Sequence, residues 1–330
     1  MKHTNIPVFI PHIGCPNDCV FCNQKHITGN LAEVTEKEIE KIVDEHLLTI
    51  PEDYKKEIAF FGGSFTGISE DLQERYLKFA YRYIEEGKVQ GIRLSTRPDY
   101  INKQILERLK KYGVTTIELG VQSLDDEVLK LSNRGHTSED VKDAVLKIRE
   151  YDFSLGLQMM TGLPGDTFEK SIETARKIIA MKPDFVRIYP TLVIKDTELF
   201  NMYNRGEYSP QTLEDAVDLA SKLLLMFNEA KIKVIRVALM TTDEISPDGK
   251  LAAGPFHSSF RELCESKIYL DKILNELGDK KRATVRVNPK EISKVLGNKK
   301  KNIAELKKRG IEITFKKDGR IKRGNIKINW

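Results

Sequence analysis

No apolar run in this 330-residue sequence approaches the length of about 20 residues that a helix needs to cross a membrane. The first residues, MKHTNIPVFIPH, also lack the charged, apolar and small-residue regions of a secretion signal. No segment is of low complexity, and apolar residues make up 40% of the chain, which is enough for a sizeable core. We therefore expect a soluble, cytoplasmic protein with no membrane partner.

Cysteine is also scarce, with four residues in the whole chain. Cys15, Cys19 and Cys22 lie within eight residues, and Cys264 is remote from them. An oxidising compartment favours paired and distributed cysteines, whereas a tight cluster in a reducing compartment indicates metal or redox chemistry. The isolated Cys264, in the helical run FRELCESK, is predicted to be a buried structural thiol.

The net charge of +5 hides a strong asymmetry. Residues 281–330 contain 17 Lys and Arg against 4 Asp and Glu, a balance of +13, so the remainder of the chain carries −8. This distribution indicates a basic module that binds a polyanion, attached to a mildly acidic body.

Short apolar runs rich in β-forming residues alternate with charged segments of helical periodicity up to about residue 240. The runs cover residues 6–12, 57–63, 91–98, 115–122, 154–163, 184–193 and 231–240. Near-continuous apolar strands separated by helices indicate parallel β/α units that are covered on both faces. Unusual residues follow strand after strand, at the rim where barrels carry their chemistry. A barrel or partial barrel therefore fits better than a Rossmann sheet.

The three clustered cysteines have the spacing C-x3-C-x2-C, and Phe21 precedes the last of them. Three thiolates can bind three irons of a [4Fe–4S] cluster and leave the fourth iron without a protein ligand. The alternative is a zinc site of three cysteines and one histidine, with His12 or His26 as the fourth ligand. Zinc sites more often show two separated C-x2-C pairs, and the sequence has no second pair.

This spacing, on the loop after a first strand, resembles that of the radical S-adenosylmethionine superfamily, and the resemblance extends over most of residues 6–240. It implies an α/β fold with a partial (β/α)6 barrel of the TIM type. It also implies a [4Fe–4S] cluster on Cys15, Cys19 and Cys22 that splits S-adenosylmethionine into methionine and a 5′-deoxyadenosyl radical. The electron would come from a donor such as flavodoxin or ferredoxin.

The resemblance further implies where S-adenosylmethionine binds. The glycine-rich segment after the second strand is similar to the motif that contacts the methionine amino group. Gln122 and Arg134 match, with the same spacing, a glutamine and an arginine that bind S-adenosylmethionine in coproporphyrinogen III oxidase, where the arginine holds the carboxylate. At two positions where relatives carry an acidic residue this chain has Ser95 and Gln158. The implied set is Phe21, Gly62, Gly63, Ser64, Ser95, Gln122, Arg134 and Gln158.

Residues 95–99, 189–197 and 205–210 resemble the catalytic subunit of Elongator, which modifies wobble uridines in tRNA. That subunit also has an acetyltransferase domain that binds acetyl-CoA, and no part of this sequence resembles it. Carboxymethyl transfer from acetyl-CoA is therefore not predicted for this chain alone.

From Ala283 the pattern reads strand, helix, loop, helix, strand, strand, and residues 295–303 resemble a KH domain, a small α+β fold that binds RNA. In that domain a G-x-x-G loop clamps a nucleic-acid backbone. Here Lys300 occupies the second glycine position, and the predicted RNA-binding residues are Gly297, Asn298, Lys299, Lys300 and Lys301. The predicted domains are a barrel over 1–245, a connecting helical segment over 246–280 and the KH-like module over 281–330.

The leading hypothesis is a radical enzyme that modifies RNA, and specifically tRNA. The first alternative is an enzyme of tetrapyrrole or other small-molecule metabolism, similar to coproporphyrinogen oxidase. The basic module argues against this alternative. The second is a non-catalytic RNA-binding protein that contains a structural metal, which would release no deoxyadenosine on reduction.

Overall fold

The computed structural model describes residues 2–10, 18–22, 33–239, 245–246 and 248–330. Within these ranges, no helix combines the length and the apolar composition that crossing a membrane requires.

The main sheet contains seven strands, each parallel to its neighbours. With a short extra strand, β7, the strands are β1 (Lys2–Ile10), β2 (Tyr54–Gly62), β3 (Ile92–Thr96), β4 (Val114–Gln122), β5 (Ser154–Thr161), β6 (Phe185–Pro190), β7 (Val193–Ile194) and β8 (Lys233–Val237). The spatial order β1-β2-β3-β4-β5-β6-β8 follows the chain. Each of the seven predicted strands is present, which confirms the α/β class.

Helices occupy the connections between the strands. They are α1 (Glu36–Leu47), α2 (Glu70–Glu85), α3 (Lys103–Lys111), α4 (Asp126–Leu131), α5 (Ser138–Arg149), α6 (Phe168–Ala180), α7 (Glu198–Asn204), α8 (Leu213–Glu229) and α9 (Phe260–Leu277). Side-chain caps begin several of them: Thr35 and Glu38 form a reciprocal capping box at α1, and Thr137 and Asp140 form another at α5. These caps fix the residue at which each of these helices begins.

The two faces of the sheet differ in chemistry because side chains alternate along a strand. On β1, Ile6, Val8 and Ile10 are fully buried and pack with Ile39 and Val43 of α1 on the outer, helix-covered face. The opposite face, which we call the inner face, carries charged side chains from successive strands. The inner face therefore holds the candidate site.

The segment after β8 remains tied to the barrel. Strand β9 (Leu251–Ala253) pairs antiparallel with β7. Helix α9 packs on α8, where the Ser221 hydroxyl donates to the Cys264 carbonyl at 3.1 Å. Cys264 is fully buried, and burial raises the pKa of its thiol to about 12, so it is a neutral structural thiol as predicted.

The basic end of the chain forms a small α+β module. Its elements are β10 (Arg282–Val287), α10 (Ile292–Leu296), α11 (Lys301–Lys308), β11 (Glu312–Lys317) and β12 (Ile326–Asn329). The central β10 pairs parallel with β11 and antiparallel with β12. The predicted order of elements is therefore confirmed. Its core includes the second half of α9, through Tyr269, Leu270, Ile273 and Leu277.

Candidate active site

One pocket at the carboxyl ends of the parallel strands collects the residues that the sequence singled out. It is lined by Cys19, Phe21, Cys22, Gly62, Gly63, Ser64, Ser95, Thr96, Arg97, Gly120, Gln122, Arg134 and Gln158. This set includes two of the three predicted cluster ligands and all eight predicted S-adenosylmethionine contacts. Cys15, His12 and His26 lie outside the described residues.

The second half of the cysteine loop is held from two sides. The Val20 amide donates to the Ser132 carbonyl at 3.1 Å, and the Leu199 amide donates to the Val20 carbonyl at 2.7 Å. Phe21 packs beside the β7–β9 pair. Cys19 and Cys22 are joined by a turn in which the Cys22 amide donates to the Cys19 carbonyl at 2.9 Å. The loop is therefore anchored by its backbone, which leaves both thiols facing the pocket.

Arg134 brings a buried positive charge to these thiols. Its Nη2 donates to the Gly120 carbonyl at 2.8 Å, and its Nη1 lies 3.4 Å from Cys19 Sγ. Its buried Nε has no partner among the described residues. A guanidinium with an unused buried donor favours an anionic ligand, because leaving that donor unpaired costs free energy.

The end of β4 has an unusual backbone. Gln122 adopts a left-handed conformation, with φ of 65°, and the pairing of β4 with β5 shifts register between Gly120 and Gln122. Such strain in a residue other than glycine is typical of functional sites. A Cβ atom on Gly120 would lie 2.8 Å from Arg134 Nη2 and 3.0 Å from Gln122 Nε2. A side chain at position 120 would therefore displace the ends of both of these side chains.

His136 supports the same strand end. Its Nε2 lies 3.3 Å from the Val121 carbonyl, and burial, together with nearby arginine charges, lowers the pKa of the ring to about 4. The imidazole is therefore neutral at physiological pH. This suits a histidine that fixes the loop, since a proton carrier needs a pKa closer to 7.

The glycine-rich segment after β2 packs closely against β1. Gly62 has a φ of 105°, and a Cβ atom there would lie 2.6 Å from the Ile10 carbonyl oxygen. The Ser64 hydroxyl bonds the Thr96 hydroxyl at 2.8 Å and accepts from the Arg97 amide at 3.1 Å. Since the Ser64 hydroxyl is already bonded to residues at the end of β3, the Ser64 backbone is more available to a ligand than its side chain.

Below the pocket, the inner face carries a buried ionic network centred on Glu118. This carboxylate is fully buried and accepts from Arg93 at 2.9 Å, from Gln158 at 3.0 Å and from Arg187 at 2.6 and 3.0 Å. Arg93 also binds Glu57 at 3.0 Å. Burial alone would raise the pKa of Glu57, but Arg93 and hydrogen bonds from Thr115 and His3 outweigh it and hold that pKa at about 2.

The network determines which end of Gln158 faces the pocket. Because the Gln158 amide nitrogen donates to Glu118, its carbonyl oxygen is left to accept a hydrogen bond from a ligand. The Ser95 hydroxyl, half-buried on β3, has no partner among the described side chains and backbone groups. Sequence reasoning gave Glu118 no role. The available signal was a glutamate within an otherwise apolar strand.

The pocket suits the two implied cofactors. The thiols of Cys19 and Cys22 are soft ligands of the kind that bind iron–sulfur clusters. Arg134, with its unpaired buried Nε, fits a carboxylate, and the Gln158 oxygen and Ser95 hydroxyl fit sugar hydroxyls. The left-handed glycine at the end of β2 leaves its backbone accessible to a small amine.

The predicted RNA-binding loop lies in the small module. Gly297, Lys299 and Lys300 all have positive φ, of 81°, 49° and 61°. Lys300 thus adopts the left-handed conformation that a glycine would take at this position. The buried Asn302 side chain fixes the loop by donating to the Ser266 carbonyl at 2.9 Å and to the Val295 carbonyl at 3.0 Å.

Three adjacent lysines of this loop are exposed. Within the described part of the chain, Lys299, Lys300 and Lys301 form no ion pair with an acidic side chain. Lys299 and Lys300 precede α11 and Lys301 begins it, where free backbone amides also favour anions. We refer to residues 297–301 as the lysine loop.

Comparisons with known proteins agree with this geometry. The profile described as the radical SAM superfamily matches residues 9–178, and that of the radical SAM C-terminal domain matches residues 183–269. A tRNA uridine(34) acetyltransferase of Dehalococcoides mccartyi is 31% identical over 63% of this chain and 52% of its own length. Human Elongator complex protein 3 is 29% identical over 65% of this chain and 42% of its own length.

A solved structure supports the fold. The Elp3 of Methanocaldococcus infernus, with residues 1–46 deleted, has a TM-score of 0.63 at 24% identity and covers 84% of this chain and 63% of its own. This likeness confirms the predicted partial barrel of the TIM type. The chain spans about half, or less, of the length of the curated relatives. Since the superfamily profile matches just over half of its residues, the chain belongs to the radical S-adenosylmethionine superfamily and uses its cofactors, a [4Fe–4S] cluster and S-adenosylmethionine.

Proposed function

We propose that this radical S-adenosylmethionine enzyme modifies RNA, with tRNA as its substrate. The observation that carries the proposal is the lysine loop, three unpaired lysines on a fixed backbone in a module of net charge +13. The relatives named as tRNA uridine(34) acetyltransferases point to the same class of substrate. A tetrapyrrole or another small substrate gives no reason for such a module.

Cys15, Cys19 and Cys22 would hold the cluster, which when bound supplies the electron that splits S-adenosylmethionine. Arg134 places a fixed positive charge beside Cys19, and we assign it the carboxylate of S-adenosylmethionine. The electron donor would be a small reducing protein such as flavodoxin or ferredoxin.

The remaining contacts divide by chemistry. We assign the ribose hydroxyls to the Gln158 carbonyl oxygen, which Glu118 aims into the pocket, and to the Ser95 hydroxyl. The backbone of Gly62, Gly63 and Ser64 would receive the methionine amino group. Gln122 would contact the same ligand, because it lines the pocket together with Arg134. Phe21 would cover the cluster side of the pocket.

The Gly120→Ala substitution tests the assignment of Arg134. The added methyl group would displace the Arg134 guanidinium. We expect the KM for S-adenosylmethionine to rise about tenfold, which corresponds to the loss of one of the weaker hydrogen bonds to a charged group. The measurement is 5′-deoxyadenosine release under dithionite at varied S-adenosylmethionine. Gly319→Ala, where no atom lies within 4 Å of the new methyl group, serves as the control. An unchanged KM in Gly120→Ala would contradict the assignment.

A groove connects the barrel to the small module. It is lined by residues from the end of β8, the start of α9 and α10, among them Arg236, His257, Arg261 and Lys294. His257 Nδ1 accepts from the Ser259 amide at 3.0 Å, which makes Nε2 the ring nitrogen that carries a proton and can donate to a ligand. Arg261 and Lys294 both pair with Glu265 in the groove, so Arg236 and the His257 ring are the donors left for RNA that extends from the lysine loop toward the barrel rim.

Replacing Lys299, Lys300 and Lys301 together by alanine should weaken RNA binding. Each lysine that neutralises a phosphate of single-stranded RNA contributes roughly 0.7 to the slope of log K against log salt. We expect the slope to fall by about 2 and the affinity at low salt to fall at least tenfold. Filter binding of tRNA at several salt concentrations measures both quantities. Replacing Lys37, Lys41 and Lys103, exposed lysines of the barrel helices, is the charge-matched control.

The proposal as a whole is tested by mass spectrometry of nucleosides from the tRNA and rRNA of cells that lack the protein. We expect at least one modified nucleoside to disappear and to return with the wild-type gene, and not with a Cys19→Ala gene. Unchanged nucleosides, with no RNA bound by the purified protein, would overturn it.

A further inference from the structure

Phe9 is an exposed aromatic residue in an unexpected place. It lies on the edge strand β1 and is 62% exposed, although its neighbours Val8 and Ile10 are fully buried. Because side chains alternate, Phe9 points away from the helix-covered face and lies on the inner face. It is thus a large apolar side chain in solvent at the rim of a barrel whose inner face is mainly polar.

Phe9 has an aromatic partner on the next strand. In the parallel pairing of β1 with β2, Phe9 is in register with Phe61, so both side chains lie on the inner face. The next pair in register is Ile10 with Gly62, and Gly62 lines the candidate active site. The two rings therefore lie immediately beside the pocket that we assign to S-adenosylmethionine.

A positive charge approaches the Phe61 ring from β6. The Arg187 guanidinium of β6 lies 5.7 Å from the centre of the Phe61 ring, and its Nη1 lies 3.4 Å from the Tyr189 hydroxyl. The charge of Arg187 is balanced by Glu118. Arg236 of β8 is in register with Arg187, and its charge also acts on Tyr189. Among the described residues, Arg236 has no acidic partner.

An exposed and a half-buried aromatic ring, on the same barrel face as an arginine without an acidic partner among the described residues, are a combination by which proteins bind single-stranded nucleic acid, stacking bases on rings and binding phosphate with cations. Resting on the proposed function, we propose that Phe9 and Phe61 form a stacking platform for a nucleobase of the RNA substrate, and that Arg236 binds an adjacent phosphate. The platform holds the target nucleotide unstacked, next to the S-adenosylmethionine pocket.

Binding of two probes to the reconstituted full-length protein tests this inference. The first probe is a single-stranded RNA octamer, and the second is polyphosphate of similar charge, which has no bases. We expect Phe9→Ala to weaken octamer binding about 5- to 150-fold, the range for one stacked base, and to leave polyphosphate binding within about twofold of wild type. Phe9→Tyr, which keeps the ring, should bind the octamer like wild type. Arg236→Ala should weaken both probes.

Phe168→Ala is the matched control, because Phe168 is 45% exposed on the outer helix α6. If Phe9→Ala bound the octamer as tightly as wild type, the stacking platform would be wrong and the proposed function would stand. Equal losses of affinity for the octamer and for polyphosphate would have the same meaning. A wild-type protein that binds no RNA would overturn both proposals together.

Discussion

Cys19→Ala and Cys22→Ala proteins are each expected to lose the cluster and to release 5′-deoxyadenosine at least roughly 1,000-fold more slowly than wild type. Both thiols line the pocket, and Arg134 lies 3.4 Å from Cys19 Sγ. Two remaining cysteines cannot hold a cube that needs three, so the route for the electron is lost. Iron and sulfide content, with deoxyadenosine release under dithionite, measure the effect.

Cys264→Ala is the control for cysteine loss. Cys264 is a fully buried, neutral thiol in the packing of α9 on α8, remote from the pocket. This variant should keep its iron, its sulfide and its activity, at a modest cost in stability. A Cys19→Ala protein that still released deoxyadenosine at the wild-type rate would show that the assigned ligand is wrong.

The largest expected effect on stability is that of Glu118→Ala. The substitution would leave Arg93 and Arg187, both largely buried, without the carboxylate that joins them. Removing one partner of a buried ion pair typically costs about 3–5 kcal/mol in the free energy of unfolding. The midpoint of urea unfolding, followed by circular dichroism, measures this cost.

Glu107→Ala is the matched control for this glutamate. Glu107 is exposed on α3 and lies 3.9 Å from Lys103, and an exposed pair of this kind contributes at most about 1 kcal/mol. If Glu118→Ala and Glu107→Ala unfolded at the same urea concentration, the network would not stabilise the barrel as described.

Much of the fold could be predicted because its signals are local. The apolar runs marked all seven strands of the main sheet, and the order of elements in the small module followed from hydrophobic periodicity. The cysteine spacing placed Cys19 and Cys22 at the pocket because a metal-binding loop is continuous in sequence. Arg134, which is far from the cysteines along the chain, came from the resemblance to a family and not from its local pattern.

The features that escaped prediction depend on register between strands. The Glu118 network joins β2, β3, β4, β5 and β6, and no local pattern specifies which inner-face charges meet. In the sequence Phe9 is one more apolar residue of a strand, and only its pairing with Phe61 places it on the inner face. The left-handed backbone at Gln122 and Lys300 was equally hidden, since neither residue is a glycine. The division of the chain into three domains stays a prediction, and α9 contributes to both cores.

The cluster assignment is tested by electron paramagnetic resonance of the reduced protein, reconstituted without oxygen, before and after S-adenosylmethionine is added. We expect the signal of a reduced [4Fe–4S] cluster, and we expect this signal to change when S-adenosylmethionine binds the iron that lacks a cysteine. A protein that contains zinc and no such cluster, or a cluster signal that S-adenosylmethionine leaves unchanged, would contradict it.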